Sequence, residues 1–86
     1  MTYSVVFTSK ALKELLKIGE PNYSKIRMAI MALVTNPRPV GYKKLSGRDG
    51  YRIRQGGYRI IYLIEDNILT VTIVKIAHRK DAYKKK

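Results

Sequence analysis

The stretch Tyr51-Arg52-Ile53-Arg54-Gln55-Gly56-Gly57-Tyr58-Arg59-Ile60-Ile61-Tyr62 leaves little choice of local structure. Two runs of alternating apolar and polar residues flank a Gly-Gly pair, and that pattern specifies a tight β-hairpin turning at the glycines. The turn sets the register: Arg54 faces Arg59, Ile53 faces Ile60, Arg52 faces Ile61 and Tyr51 faces Tyr62. Successive side chains point to opposite faces. One face therefore receives Tyr51, Ile53, Tyr58, Ile60, Tyr62 and Ile64. The other receives Arg52, Arg54 and Arg59, then Ile61 and Leu63. Like charges set directly opposite each other cost about 0.2–1 kcal/mol, and a sheet under no functional demand would put Glu or Thr opposite one of these arginines. Three guanidiniums on one patch point instead to an anion arriving from outside, and their planar fork matches phosphate oxygens. Long arginines can also splay into solvent, so the rest of the chain has to decide.

Charge supplies the second constraint. Eighteen Lys and Arg against six Asp and Glu give a formal +12 over 86 residues, with an isoelectric point near 10.2. That is the electrostatic footprint of a nucleic-acid binder. The length fits one domain, residues 1–86, ending in a basic tail over 79–86. A chain of this size buries roughly 60–65% of its unfolded surface, enough for a small core of marginal stability. There is no cysteine and only one histidine, His78, so disulfides, thiolate chemistry and a Cys- or His-based metal site are not expected, and neither is a cofactor. No apolar run approaches the ~20 residues of a membrane span, and Met1-Thr2-Tyr3-Ser4 does not begin a signal peptide. The expectation is a soluble, cytoplasmic protein with no membrane partner.

In chain order, Tyr3 to Phe7 is aromatic and β-branched and reads as a strand. Thr8 and Ser9 can cap a helix whose stripe is Ala11, Leu12, Leu15, Leu16 and Ile18, with Gly19 as its left-handed C′ residue. Pro21 opens a second helix with Ile26, Ala29, Ile30, Leu33 and Val34 on its apolar face, and Asn36-Pro37 ends it. The two helices form an antiparallel hairpin that the sheet must cover. Residues 38–50 read as a loop carrying Lys43, Lys44 and Arg48, which extend the positive surface toward Arg52. Leu69 to Ile76 is a strand. A two-residue turn at Asp66-Asn67 places Val71 and Ile73 on the face of Ile60 and Tyr62, and Thr72, Val74 and His78 on the face of Arg59. Strict alternation puts Arg79 on the other side, although a bulge near a strand end can re-aim a side chain.

The order β-α-α-β-β-β, the run Tyr51-Arg-Ile-Arg…Gly57-Tyr-Arg-Ile-Ile-Tyr62 and the ending Ile76-Ala-His-Arg-Lys-Asp-Ala-Tyr83 together resemble the RelE toxins of the RelE/ParE toxin–antitoxin superfamily. The resemblance implies an α+β, RelE-like fold with an α-helical hairpin packed on a mainly antiparallel four-stranded sheet. It implies a metal-independent endoribonuclease that enters the 70S ribosomal A site and cuts mRNA there by 2′-hydroxyl attack, leaving a 2′,3′-cyclic phosphate, and a RelB-like antitoxin that suppresses it. Residue by residue, Arg52 and Arg54 match two basic strand positions that are usually lysine in the best-known member. Arg59 matches the arginine after Gly-Tyr, Arg79 the arginine closing the last strand, and Tyr83 a C-terminal tyrosine. Arginine stays protonated at any workable pH, so Arg52 and Arg54 are poor general bases, and His78 is the obvious alternative. Two other functions use the same fold and charge. One is a ParE-like gyrase inhibitor; the other is a non-catalytic RNA- or ribosome-binding protein.

Overall fold

The computed structural model describes residues 2–82. Strand β1 (Ser4–Phe7) leads into helix α1 (Ser9–Leu16). Thr8 makes the junction: its backbone is still extended, and its hydroxyl oxygen accepts the Ala11 N–H at 3.1 Å, satisfying one of the helix's orphan donors. Helix α2 (Asn22–Ala32) starts at Pro21, with the Glu20 carboxylate accepting both the N–H of Ser24 at 3.1 Å and its hydroxyl at 2.7 Å. Gly19 does not adopt the left-handed conformation expected of it; α1 runs out through a right-handed turn at Lys17.

Four more strands follow: β2 (Lys43–Lys44), β3 (Tyr51–Gln55), β4 (Tyr58–Glu65) and β5 (Thr70–His78). The sheet runs β1-β5-β4-β3-β2, with β1 parallel to β5 and every other pair antiparallel. The sheet therefore has five strands where the sequence led us to expect four. The additional one lies inside the 38–50 segment read as loop, where two lysines pair with Tyr51 and Arg52 and the turn closes through Leu45 N–H to Gly50 C=O at 3.0 Å. A two-residue strand has no periodicity to read, and lysines suit a sheet edge that must not recruit another chain.

The β3–β4 register is the one the Gly-Gly pair dictated. Gly56 has φ +60° and Gly57 does not share the positive φ, the pattern of a II′ turn. The second connection is longer than expected. A 3₁₀ turn at Asp66–Ile68 and a left-handed Leu69 make four linking residues, so that Glu65 faces Thr70. The slip is two residues, an even number, so Val71 and Ile73 still share the face of Tyr62, and Thr72 still shares that of Leu63.

Alternation then breaks once. Tyr62 faces Ile73 but Ile61 faces Lys75, leaving Val74 as an extra residue in β5. Beyond this bulge every side chain changes face. Strict alternation would turn Lys75 toward the core; the bulge brings in Ile76, which is buried, and avoids the large cost of burying an ammonium. His78 consequently lies opposite Tyr58, on the face away from Arg59, correcting the expected placement.

Both helices cover one face of the sheet. The core between them is Ala11, Leu15, Ile26, Ile30, Leu33, Ile53, Ile60, Tyr62, Val71, Ile73 and Ile76. The expected α1 stripe is narrower in fact, since Leu12 and Leu16 are 44% and 65% exposed; eight residues lie on the sheet along the single line Ala11–Leu15. Glu14 on the same helix accepts the Ile76 N–H at 2.8 Å and lies 3.7 Å from Lys75 Nζ. It thus occupies the edge of β5 where β1 has ended.

The far end of the sheet is held by polar contacts. Buried Tyr62 donates its hydroxyl to the Pro37 carbonyl at 2.7 Å. Arg38 grips the Asp66 carboxylate through two nitrogens at 2.9 and 3.3 Å, and Tyr3 donates to it at 2.5 Å. The Arg38 guanidinium, and then the Tyr3 hydroxyl, hold the Asp66 carboxyl below the usual carboxylate range. Burial pushes the Tyr62 hydroxyl up to about 12. An unfolded tyrosine ionises near pH 10, so this group's contribution to stability is complete below about pH 10 and is lost as pH rises toward 12. Tyr62→Phe should cost about 1–2 kcal/mol at neutral pH and flatten the alkaline limb of a stability–pH curve measured by urea unfolding. An unchanged limb would remove Tyr62 from this role.

Candidate nucleic-acid interface

The face of the sheet turned away from the helices carries Arg52, Arg54, Arg59, Ile61, Leu63, Thr72 and Ala77, and each stays at least partly exposed. At its turn end lies a hollow of about 380 Å³ lined by Arg54, Gly56, Gly57, Tyr58, Arg59 and Arg79. The II′ turn puts Arg54 directly opposite Arg59. The Val74 bulge puts the small Ala77 beside Arg59 and so gives Arg79, two residues on, the side of the hollow. A backbone bond fixes this arrangement: Arg79 N–H donates to the Gly57 carbonyl at 2.7 Å, tying the first turn of the short helix α3 (Arg79–Ala82) to the hairpin tip.

The sequence-derived residues separate into groups. Arg54, Arg59 and Arg79 converge on the hollow. Arg52 stands two residues further along the same face, with Lys43 opposite it on β2, so Lys43 extends the positive surface. Lys44 pairs with Tyr51, which puts it on the other face, and it lines a separate recess with Asp49 and Glu65. Arg48 is exposed in the turn between β2 and β3. His78 lines neither of these places but a cleft on the helix side with Glu14, Lys17, Tyr58 and Lys75. Tyr83 lies outside the described residues.

Sequence reasoning used Gly57 as a turn residue and missed its nearness to His78. A II′ turn needs glycine only at its first central position, so the second glycine calls for its own reason. A Cβ at Gly57 would lie 3.0 Å from His78 Nε2, so any side chain there would press on the imidazole. A second glycine in excess of the turn's demand was the available signal.

Chemically, the hollow offers three guanidiniums beside two glycines, where a ligand can approach the backbone closely. The Arg59 Nε is already out of solvent. A charge-assisted hydrogen bond to phosphate is stronger where water is partly excluded than in open solvent. Among the described residues no three His, Asp or Glu side chains come together as a metal cluster, and no helix is long and apolar enough to cross a membrane.

A small α+β domain with arginines gathered on the open face of its sheet is the class that this geometry defines, and comparison with known proteins places it in a family. Residues 5–83 match the family described as the ParE toxin of type II toxin–antitoxin system, parDE, and the chain belongs to that family. Its relatives make it a RelE-type toxin. The chain is 34% identical over 88 residues to the putative toxin RelE1 of Methanocaldococcus jannaschii, covering 98% of each chain. It is 28% identical over 82 residues to the mRNA interferase toxin RelE of Escherichia coli, covering 93% of this chain and 86% of that one. The archaeal RelE–RelB complex from Pyrococcus horikoshii has the same fold, with a TM-score of 0.81 at 29% identity over 92% of this chain and 97% of that chain.

Opposed arginines that serve a ligand should be dispensable for folding. Arg54→Ala should leave stability within about 1 kcal/mol of the parent, on the gaining side, because it relieves a like-charge pair. Affinity for a short single-stranded RNA should fall without regard to sequence, and the slope of log K against log salt should drop by about 1. A destabilised variant with unaltered RNA binding would make Arg54 a structural residue.

Proposed function

We propose that this chain is the toxin of a RelE–RelB-type pair and that it cuts mRNA on the ribosome, acting in the cytoplasm. The observation that carries the reading is the convergence of Arg54, Arg59 and Arg79 on one hollow. The name of the Escherichia coli relative, an mRNA interferase, and the RelE–RelB assembly of the Pyrococcus structure support it. A +12 surface suits an acidic RelB-like antitoxin that folds on binding.

The reaction follows from what the hollow can hold. The ribose 2′-oxygen attacks the adjacent phosphorus, the P–O5′ bond breaks, and the products are a 2′,3′-cyclic phosphate and a 5′-hydroxyl. The 2′-hydroxyl loses a proton and the departing 5′-oxygen gains one. Negative charge grows on the non-bridging oxygens as the phosphorus becomes five-coordinate. Fixed guanidiniums bind that state more tightly than the ground state, which is the condition for acceleration. Arg54 and Arg59 face each other across the strand pair, and Arg79 reaches the same hollow from the end of β5. No metal is required for this charge stabilisation. Arginines do not accept protons at neutral pH, so they grip and polarise. Alignment of the 2′-oxygen with the P–O5′ bond supplies the larger share, worth 10⁵-fold or more when geometry is ideal, as a rough figure. A ribosome that bends the mRNA into that geometry explains why such a small domain would need it. Arg52, Lys43 and Arg48 bind flanking phosphates without sequence information, and Lys44, turned to the other face, takes no part.

The test is to incubate the protein with programmed ribosomes and map 5′ ends. Cleavage should fall within the A-site codon and leave 5′-hydroxyl termini. Arg59→Ala and Arg79→Ala should each lower the rate by about 10²–10³ with melting unchanged. Intact mRNA under active translation, with gyrase-dependent DNA breaks in its place, would overturn the reading.

A further inference from the structure

We infer that His78 is a positioning residue that holds Arg79 in the hollow, and that it is not the general base; the inference rests on the mRNA-cleavage reading above. The imidazole is engaged on three sides. Its Nδ1 accepts the Lys80 N–H at 3.2 Å, which engages the lone pair on that nitrogen. Its edge meets the Tyr58 ring at 5.0 Å and 87°, a favourable edge-to-face contact. Its Nε2 lies 3.0 Å from where a Gly57 Cβ would stand.

These contacts bracket Arg79. Residue 78 is the last of β5 and residue 79 the first of α3. The ring locks the chain on both sides of that junction, through Lys80 N–H ahead of it and the hairpin tip beside it. The Arg79 N–H itself donates to Gly57 C=O at 2.7 Å. Strand end, helical turn and hairpin tip therefore form one rigid corner, with the imidazole as its spacer. The corner fixes where the Arg79 guanidinium points, while the imidazole stays on the opposite side of the sheet among Glu14, Lys17, Tyr58 and Lys75, off the hollow where a 2′-hydroxyl would sit. Gly57 follows from the same arrangement. Its φ is outside the left-handed region, and a Cβ there would crowd the imidazole at 3.0 Å.

Two substitutions separate positioning from proton transfer. In His78→Asn the carboxamide oxygen takes the place of Nδ1 and can accept from Lys80 N–H, but it cannot act as a base near neutral pH. His78→Leu fills the space and accepts nothing. A misplaced Arg79 should make the Leu variant about 100-fold slower in A-site cleavage, whereas the Asn variant should stay within about tenfold of the parent. Amide hydrogen exchange at Arg79 and Lys80 should accelerate in the Leu variant and stay slow in the Asn variant. Gly57→Ala should slow cleavage in the parent and much less in the His78→Asn background, because the shorter side chain vacates the contact; this coupling also carries the test if the Leu variant fails to fold. The inference is overturned if the Asn and Leu variants are equally inactive while both amides stay protected, which assigns proton transfer, or if the Leu variant keeps the parental rate and protection. Should the parent leave mRNA uncut, the cleavage reading fails by itself, and the exchange data still decide whether His78 fixes the corner.

Discussion

A β-strand offers side chains to two faces in strict turn, and a single extra residue reverses the order for everything after it. In this chain that residue is Val74. Ahead of it, Val71 and Ile73 fill the core beside Tyr62. Behind it, without the bulge, Lys75 would turn inward and Ile76 outward. Burying an isoleucine side chain is worth about 1.5–3 kcal/mol, and burying an unpaired ammonium costs more than that. The core therefore selects the bulge, and Lys75 meets Glu14 at the sheet edge instead. The functional face inherits the consequence: Ala77 comes to Arg59, and Arg79 comes to the hollow. A packing requirement on one side of the sheet sets the cation geometry on the other.

The same division of labour runs through the rest of the molecule. Stability is concentrated between the helices and the Ile53–Ile60–Tyr62–Ile73 layer, and the exposed Tyr3–Asp66–Arg38 cluster ties the far end. The turn end gathers groups that disfavour one another. Arg54 opposes Arg59 across the strand pair, a like-charge pairing that costs free energy and is offset when an anion enters. Such a site draws on a scaffold held elsewhere, and the five-stranded sheet with its long central β4–β5 pair supplies one.

Much of this was legible in the residues. The Gly-Gly pair fixed the β3–β4 register down to each facing residue, because a two-residue turn admits only one. The helices were legible from Thr8, Pro21 and the spacing of Ala11, Leu15, Ile26 and Ile30. The placement of Arg52, Arg54 and Arg59 on one face followed from the turn alone. What escaped notice had weak or nonlocal causes. The strand Lys43–Lys44 is too short to show alternation. The four-residue connection after Glu65 depends on a left-handed Leu69, a residue type with no preference for it. The face of His78 turned on Val74, and nothing local marks a valine as a bulge; the signal lay in Lys75-Ile76, where strict alternation would have buried the charge and exposed the isoleucine.

In the proposed reaction Arg54, Arg59 and Arg79 act as one phosphate-binding set, and the bulge brings the third to the other two. The most direct measurement follows the arginine side-chain Nε–H resonances of the intact protein by NMR while inorganic phosphate, and then a short uncleavable RNA, is added. The account predicts that the resonances of Arg54, Arg59 and Arg79 move together along one binding curve, with that of Arg27 on the outer side of α2 unmoved. An Arg79 resonance that stays still while those of Arg54 and Arg59 titrate would contradict it.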